Sequence, residues 1–122
     1  AAPGRLAVHG GSNGGLLVGN MLTQYPDLVG AVLCEVPLLD MRRYTHLLEA
    51  GRDYPPVLLV TSTRDDRVHP AHARTMAHRL ESLGQAVTYF ESSEGGHGRA
   101  STSAQRAFMS ALTYDFAWRT LR

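Results

Sequence analysis

Three kinds of side chain that act together in acyl transfer occur far apart in this sequence, each within a short polar or glycine-rich segment. Ser12 lies in GGSNGG, the pair Asp65 and Asp66 lies in RDDR, and His97 lies in GGHG. A serine hydroxyl becomes a nucleophile when a histidine takes its proton, and a carboxylate then orients the imidazole and stabilises its charged form. These residue types predict nucleophilic catalysis by Ser12 with His97 as the base.

The glycines around Ser12 predict a sharp turn of the backbone. The segment Gly10–Gly14 has the pattern GxSxG, in which flanking glycines let neighbouring backbone pass where a Cβ would clash. A serine on such a turn between a strand and a helix is presented at the edge of a sheet. The backbone N–H of Asn13 would then point at the oxyanion that develops on the attacked carbonyl. A glycine-rich helix start without a catalytic role is the simpler alternative.

A phosphate-binding loop is the other alternative for this glycine cluster, and the spacing argues against it. A dinucleotide-binding fingerprint needs a second glycine two positions after its first. Two positions after Gly10 stands Ser12, and two positions after Gly11 stands Asn13. The nucleoside triphosphate loop needs a lysine after its last glycine, where Leu16 stands. Neither phosphate-binding motif is therefore matched.

The segments between these polar groups follow an α/β pattern. Apolar runs predict strands, and helical spacing predicts helices. The predicted strands are 5–9, 30–36, 57–62 and 86–91, and the predicted helices are 13–25, about 40–50, the segment from Pro70 to Gly84, and 103 to about 121. Four strand and helix units in series predict an α/β fold of about four parallel strands with helices on both faces. Ligands bind beyond the carboxyl ends of such strands, where the serine, the aspartates and the histidine all fall.

Helical spacing also selects the side chains that should form each helix's apolar stripe. They are Leu17 and Met21 in the first helix, Ala73, Met76, Ala77, Leu80 and Leu83 in the third, and Phe108, Ala111, Leu112 and Phe116 in the last.

Some roles remain open at this level. Asp65 and Asp66 are adjacent, so their side chains point in different directions and only one can face His97. Spacing does not choose between them. Arg67 is either solvated or close enough to the site to bind a substrate carbonyl or carboxylate.

Composition excludes several classes of protein. The 122 residues suffice for one globular domain, and no apolar run approaches the ~20 residues needed to cross a bilayer, so a soluble protein without a membrane partner is expected. The net charge is +1 and the arginines are mixed with acids, which argues against nucleic acid. A single cysteine, Cys34, in apolar surroundings indicates a buried, inert thiol. Glu35 beside it should make a structural hydrogen bond. His69 and His72 lack a third ligand, so no metal is expected.

Longer segments around these motifs resemble a known family. The stretches are GGSNGGLLVGNMLTQYPDLVGAVLCEVPLLDM, YPPVLLVTSTRDDRVHPAHARTMAHRLE and EGGHG. They resemble the catalytic domain of the prolyl oligopeptidase family of serine peptidases, within the α/β-hydrolase superfamily. The combination of GGSNGG, DDRV and GGHG is specific for that family over esterases and lipases.

The resemblance implies a role for each matching residue. Ser12 matches the nucleophile, Asp65 the acid and His97 the base. Further matches are Asn13, whose amide serves the oxyanion hole, Arg67, which binds a substrate carbonyl, and Leu38, which lines the proline-binding pocket. The implied reaction is hydrolysis of short peptides after proline through an acyl-enzyme, without a cofactor.

The sequence also departs from the family pattern. Members carry an N-terminal β-propeller, further strands before the nucleophile, and a tyrosine there that completes the oxyanion hole. Between Glu49 and Asp53 they carry tens of additional residues, including an aromatic wall of the proline pocket. Residues 1–122 are therefore expected to be the C-terminal portion of a catalytic domain with an internal deletion near 49–53.

These departures leave two alternatives to a peptidase. The first is an acyl-ester hydrolase of the same fold, favoured by loss of the proline pocket. The second is a non-catalytic fragment that needs a partner, since loss of one oxyanion donor can cost ~10²–10³ in rate. An exposed edge of the first strand would also allow homo-oligomers to form.

Overall fold

Four short apolar segments form the strands of one parallel sheet. The structure is a computed structural model that describes residues 2–39 and 44–122. Its strands are β1 (Ala7–Gly11), β2 (Ala31–Glu35), β3 (Val57–Ser62) and β4 (Val87–Ser92). They pair in the order β1-β2-β3-β4, and every pair is parallel. The central strands β2 and β3 are buried along their whole length, as expected where helices cover both faces.

The helices follow from this topology. They are α1 (Asn13–Gln24), α2 (Tyr44–Leu47), α3 (Ala71–Ser82) and α4 (Ser103–Leu121). Right-handed crossovers between successive parallel strands place α1 and α3 on one face, and α4, which follows the last strand, returns to the other. The predicted α/β fold with four parallel strands and helices on both faces is confirmed. No helix in the described part of the chain combines the length and apolar character that a bilayer crossing requires.

The alternation of side chains along β2 and β3 divides the core into two layers. Toward α1 and α3 point Val32, Cys34, Val57 and Leu59, which join Val18, Leu22, Met76 and Leu80. Toward α4 point Ala31, Leu33, Leu58 and Val60, which join Met109. Burial raises the pKa of the Cys34 thiol to about 12, so the prediction of a buried, inert thiol is confirmed.

Two predicted apolar stripes differ from the structure. Leu17 is 64% exposed, because α1 packs on β1 and β2 through Gly15, Val18 and Leu22 instead. A Cβ at Gly15 would lie only 2.9 Å from the Pro37 Cα, so the helix approaches its neighbour on a small-residue face that hydrophobic spacing does not detect.

The apolar face of α4 also differs from the prediction, because Met109 and not Phe108 is buried at its start. Phe108 is 53% exposed and Ala111 is exposed as well, whereas Met109 is buried. Leu112 and Phe116 pack on the α4 layer of the core as predicted. Phe108 instead contacts Phe90 at the margin of the sheet, with ring centroids 5.3 Å apart.

The helix predicted over about residues 40–50 ends at Leu47 in the structure, before the predicted end at residue 50. The described part is α2, and residues 40–43 lie outside the described residues. The segment that follows is anchored rather than free. The Tyr54 hydroxyl accepts the Glu49 N–H at 2.8 Å, and the Gln85 side chain bonds the Tyr54 N–H at 3.2 Å and the Arg52 carbonyl at 3.0 Å.

The two faces of α1 give a direct test of its orientation. Leu22 is 2% exposed, so Leu22→Ala should lower the free energy of unfolding by about 2–4 kcal/mol through a core cavity. Leu17→Ala deletes the same atoms at a solvent-exposed position and should change the free energy of unfolding by less than about 0.5 kcal/mol. Urea unfolding of both variants measures the difference, and equal losses would contradict the orientation of α1.

Candidate active site

Ser12 occupies the turn between β1 and α1 in a backbone conformation that residues with a side chain rarely adopt. Its φ is +55° and its ψ is −115°. Such a conformation costs about 1–3 kcal/mol and persists only where its surroundings fix it. The Ser12 N–H donates to the Glu35 carbonyl at 2.9 Å, and the Ser12 carbonyl accepts from the Leu38 N–H at 3.4 Å. The backbone at and beyond the end of β2 therefore holds the serine at the edge of the sheet.

Two glycines of the turn are required by close contacts. A Cβ at Gly10 would lie 2.2 Å from the Gly14 carbonyl oxygen, and one at Gly15 would lie 2.9 Å from the Pro37 Cα. Gly14 itself has nothing within 4 Å of a built Cβ. The glycine cluster thus serves a tight strand-to-helix turn, as the sequence predicts.

The serine, histidine and aspartate predicted from the sequence lie in one hydrogen-bonded chain. His97 Nε2 is 3.1 Å from Ser12 Oγ, and His97 Nδ1 is 2.9 Å and 2.8 Å from the two carboxylate oxygens of Asp65. A carboxylate only accepts, so Nδ1 carries the proton that it donates to Asp65. Nε2 is then free to accept the Ser12 proton. The arrangement is suited to activating the serine as a nucleophile.

Asp65, and not Asp66, contacts the histidine. Asp65 is buried and its Oδ1 also accepts the N–H groups of Arg67 and Val68, both at 2.9 Å, whereas Asp66 is exposed. Burial alone raises the pKa of Asp65, but the hydrogen bonds from Val68, His97 and Arg67 outweigh it and the pKa is lowered. Asp65 therefore stays ionised beside the imidazole at neutral pH.

The loop that carries His97 depends on glycine for its shape. Gly95 and Gly96 have φ of +86° and +52°, and a Cβ at Gly95 would lie 2.4 Å from the Ala100 nitrogen. His97 sits within the short 3-10 turn Gly96–Gly98 that these residues initiate. The loop directs the imidazole back over the end of β3, toward Asp65.

A charged cluster beneath the site is more extensive than the sequence suggests. The sequence predicts a structural hydrogen bond for Glu35, and the structure shows several polar contacts. Its buried carboxylate pairs with the Arg99 guanidinium and with His9 Nε2 at 3.3 Å. Thr113 Oγ1, which donates to the Met109 carbonyl at 2.9 Å, also lies 3.4 Å from Glu35 Oε1. Burial, and then the Arg99 charge, lower the pKa of His9. A glutamate at the end of a fully apolar strand is the one sequence signal that could have pointed to this cluster.

The structure also describes the other three predicted site residues, Asn13, Leu38 and Arg67. Asn13 is the first residue of α1, so no carbonyl one turn earlier is available to its N–H. Leu38 is 38% exposed and adjoins Ser12 through its backbone. Arg67 is exposed, and no hydrogen bond or ion pair joins its guanidinium to a described residue.

His69 and His72 have local partners in the structure. His69 Nδ1 accepts the Ala71 N–H at 3.1 Å, and His72 Nδ1 donates to the Leu39 carbonyl. Within residues 2–39 and 44–122, no group of three or more histidine, cysteine, aspartate or glutamate side chains is placed to hold a metal ion.

Comparison with known proteins gives consistent similarity to one family. The sequence model of the prolyl oligopeptidase family matches residues 1–50 and 44–122. The uncharacterized peptidase y4nA of Sinorhizobium fredii is 38% identical over 146 residues, covering 95% of this chain and 20% of that protein. The prolyl endopeptidase of Elizabethkingia meningoseptica is 30% identical over 146 residues, covering 92% of this chain and 21% of that protein.

A solved structure agrees with this similarity. The structure of a post-proline cleaving enzyme from Rickettsia typhi superimposes on this chain with a TM-score of 0.92 at 32% sequence identity. The match covers 99% of this chain and 22% of the Rickettsia chain. The chain thus spans about a fifth of the length of the curated relatives it matches.

The contacts of the turn predict opposite effects for two glycine substitutions. Gly10→Ala should lower the free energy of unfolding by about 1–3 kcal/mol, because backbone must move away from the new Cβ. Gly14→Ala, in open space within α1, should leave it unchanged or raise it by a few tenths of a kcal/mol, about what helix propensity supplies near a helix end. Urea unfolding decides, and equal losses would mean that the close approach of Gly10 to Gly14 is not a constraint.

The lowered pKa of Asp65 predicts part of the acid sensitivity of this protein. Its contribution to stability is complete above the unfolded value, near 3.8, and is lost as pH falls through the lower folded value. Asp65→Asn should therefore flatten the fall in unfolding free energy below about pH 4. Asp66→Asn, which alters an exposed neighbour, should keep the wild-type slope. Urea unfolding across this pH range compares the three proteins, and identical slopes for all three would contradict the assignment.

Proposed function

Because this chain belongs to the prolyl oligopeptidase family of serine peptidases, we propose that it carries a serine peptidase site that hydrolyses short peptides after proline. The observation that carries the proposal is the hydrogen-bonded chain from Ser12 through His97 to Asp65, with contacts of 2.8–3.1 Å. Preference for proline is supported by the names of two similar proteins, a prolyl endopeptidase and a post-proline cleaving enzyme.

Acylation begins with the serine hydroxyl. His97 Nε2 takes the proton of Ser12 as Oγ attacks the substrate carbonyl carbon, and the carbonyl electrons move onto oxygen. The Asn13 N–H donates to this oxyanion from the start of α1. When the tetrahedral intermediate collapses, the C–N bond breaks and His97 gives its proton to the leaving amine. An ester between Ser12 and the acyl group remains.

Deacylation repeats the same steps with water as the nucleophile. His97 takes a proton from water, hydroxide adds to the acyl carbon, and the Ser12 oxygen leaves with the proton that His97 returns. Asp65 stabilises the imidazolium that forms in both halves of the reaction. Its lowered pKa supports this role, because a protonated Asp65 would offer no negative charge.

Substrate contacts are assigned to Arg67, Leu38 and Asn13. We assign to the Arg67 guanidinium a hydrogen bond to a substrate carbonyl, for which an exposed, planar donor is well suited. Leu38 supplies apolar contact for the proline ring, since it is partly exposed and adjoins the serine. Asn13 completes the set through its backbone.

The chain is proposed to be the C-terminal portion of the catalytic domain, with an internal segment missing near residues 49–53. The alignment with y4nA extends over 146 positions, more than the 122 residues present here, so that relative has residues that this chain lacks. The family model also matches in two pieces that meet at residues 44–50. The anchored segment around Tyr54 supports a joint that folds without the missing residues.

A fluorophosphonate probe tests the activated serine directly. The wild-type chain should be labelled at Ser12, and Ser12→Ala should abolish labelling. Ser93→Ala is the matched control, because it removes an exposed serine four residues before His97 and should leave labelling intact. Peptide mapping by mass spectrometry locates the adduct. An unlabelled Ser12 in folded wild-type protein would refute the proposed function.

Substrate class is then decided by comparing a proline-containing peptide with a short acyl ester. Cleavage on the carboxyl side of proline supports the peptidase. Turnover of the ester alone would replace it with the acyl-ester hydrolase. Labelling without turnover of either would assign this chain to the fragment that needs a partner.

A further inference from the structure

Glu35 lies where two parts of the site meet, at the carboxyl end of β2. Its backbone carbonyl accepts the Ser12 N–H at 2.9 Å. Its carboxylate forms an ion pair with Arg99, which follows His97 by two residues. A single residue thus contacts both the turn that carries the nucleophile and the loop that carries the base.

The carboxylate of Glu35 depends on Arg99 for its charge balance. Glu35 is 6% exposed, and a buried carboxylate needs a close partner and further hydrogen bonds. His9 and Thr113 supply contacts at 3.3 Å and 3.4 Å. Because burial and the Arg99 charge lower the pKa of His9, Arg99 is the cation of the cluster at neutral pH. Losing either partner would leave an uncompensated charge below the histidine loop.

The backbone of Arg99 shows that this position is constrained. Its φ is +65°, a conformation that glycine adopts freely and that other residues rarely adopt. Its N–H donates to the Gly96 carbonyl at 3.0 Å and closes the turn around His97. The Asp65 carboxylate holds the imidazole from one side of this glycine-rich loop, and the Arg99 side chain ties the end of the loop to Glu35.

We propose that Glu35 and Arg99 are positioning residues, whose ion pair keeps His97 Nε2 within hydrogen-bonding distance of Ser12 Oγ. The inference rests on the proposed function in that the contact it protects is the one that activates Ser12. Neither side chain reaches the reacting atoms. Their effect is exerted through the histidine loop and through the turn at Ser12.

The primary test measures phosphonylation of Ser12 in variants of Arg99. Arg99→Met removes the charge and keeps much of the side-chain length, and Arg99→Gly removes the ion pair while suiting the positive φ. Arg99→Lys is the conservative variant. Leu112→Ala is the stability control, because Leu112 is an apolar side chain that packs against the core layer on the same face of the sheet. Thermal unfolding of every variant is measured alongside.

If positioning is lost, the labelling rate constant at saturating probe should fall. The probe concentration that gives half of this maximal rate constant should stay unchanged. Arg99→Met and Arg99→Gly should each lower that rate constant by about ten- to a hundredfold, the range expected from a misplaced catalytic group. Arg99→Lys should recover part of the loss. Leu112→Ala should label at the wild-type rate even where its melting temperature falls as far.

Glu35→Gln shows whether the two residues act through one contact. It keeps the backbone carbonyl that holds Ser12 and alters only the side chain. If the ion pair is the means of positioning, Glu35→Gln combined with Arg99→Met should label no more slowly than Arg99→Met alone. Full additivity of the two losses would overturn the inference.

A second readout does not depend on activity. The proton on His97 Nδ1, held between the imidazole and Asp65, should give a low-field NMR signal in the wild type that broadens or disappears in Arg99→Met. If wild-type Ser12 is not labelled, the proposed function is wrong. The NMR comparison of wild type with Arg99→Met still tests whether Arg99 positions His97. An unchanged signal in Arg99→Met, or a labelling rate within about twofold of wild type, would overturn the inference.

Discussion

The hydrogen bond between the Ser12 N–H and the Glu35 carbonyl, at 2.9 Å, is the constraint on which the site depends. It extends the pairing of β1 with β2 by one residue beyond Gly11, at the point where α1 already begins with Asn13. The chain must therefore leave the sheet and enter a helix within one residue. The positive φ of Ser12 is the consequence, and it directs the side chain outward from the carboxyl edge of the sheet instead of along either neighbouring element.

Parallel pairing of the four strands fixes the position of Ser12 relative to the loops at the carboxyl ends of the other strands. Ser12 and His97 are separated by 85 positions, yet their loops meet because each strand ends at the same edge. The last pair of β3 and β4 joins Ser62 to Ser92, and the loops beyond are tied together by the Thr63 N–H bond to the Ser92 carbonyl at 2.9 Å. The register of a few buried strands thus fixes distances between side chains that no local sequence signal could set.

The sequence predicts the order of elements and the type of site, because strand and helix periods and the GxSxG turn are local signals. It places β1 two residues too early, since Gly11 pairs with β2 despite the poor strand propensity of glycine. It misjudges Leu17 because the contact face of α1 is built partly from glycine. The choice between Asp65 and Asp66 depends on two backbone N–H groups that fold back onto one carboxylate. The partners of Glu35 come from three separate segments, so no spacing rule finds them.

Serine activation and oxyanion stabilisation have different structural sources in this chain. The first depends on contacts among Ser12, His97 and Asp65, all of which lie within the four-stranded sheet and its loops. The second requires converging N–H or O–H donors, for which we propose the Asn13 amide at the start of α1. Because one donor is worth ~10²–10³ in rate, a chain with an activated serine and an incomplete set of donors would form a covalent adduct readily and turn over peptides slowly. In the proposed mechanism, capture of a reactive probe and hydrolysis of a peptide are therefore separable properties that depend on different parts of the structure.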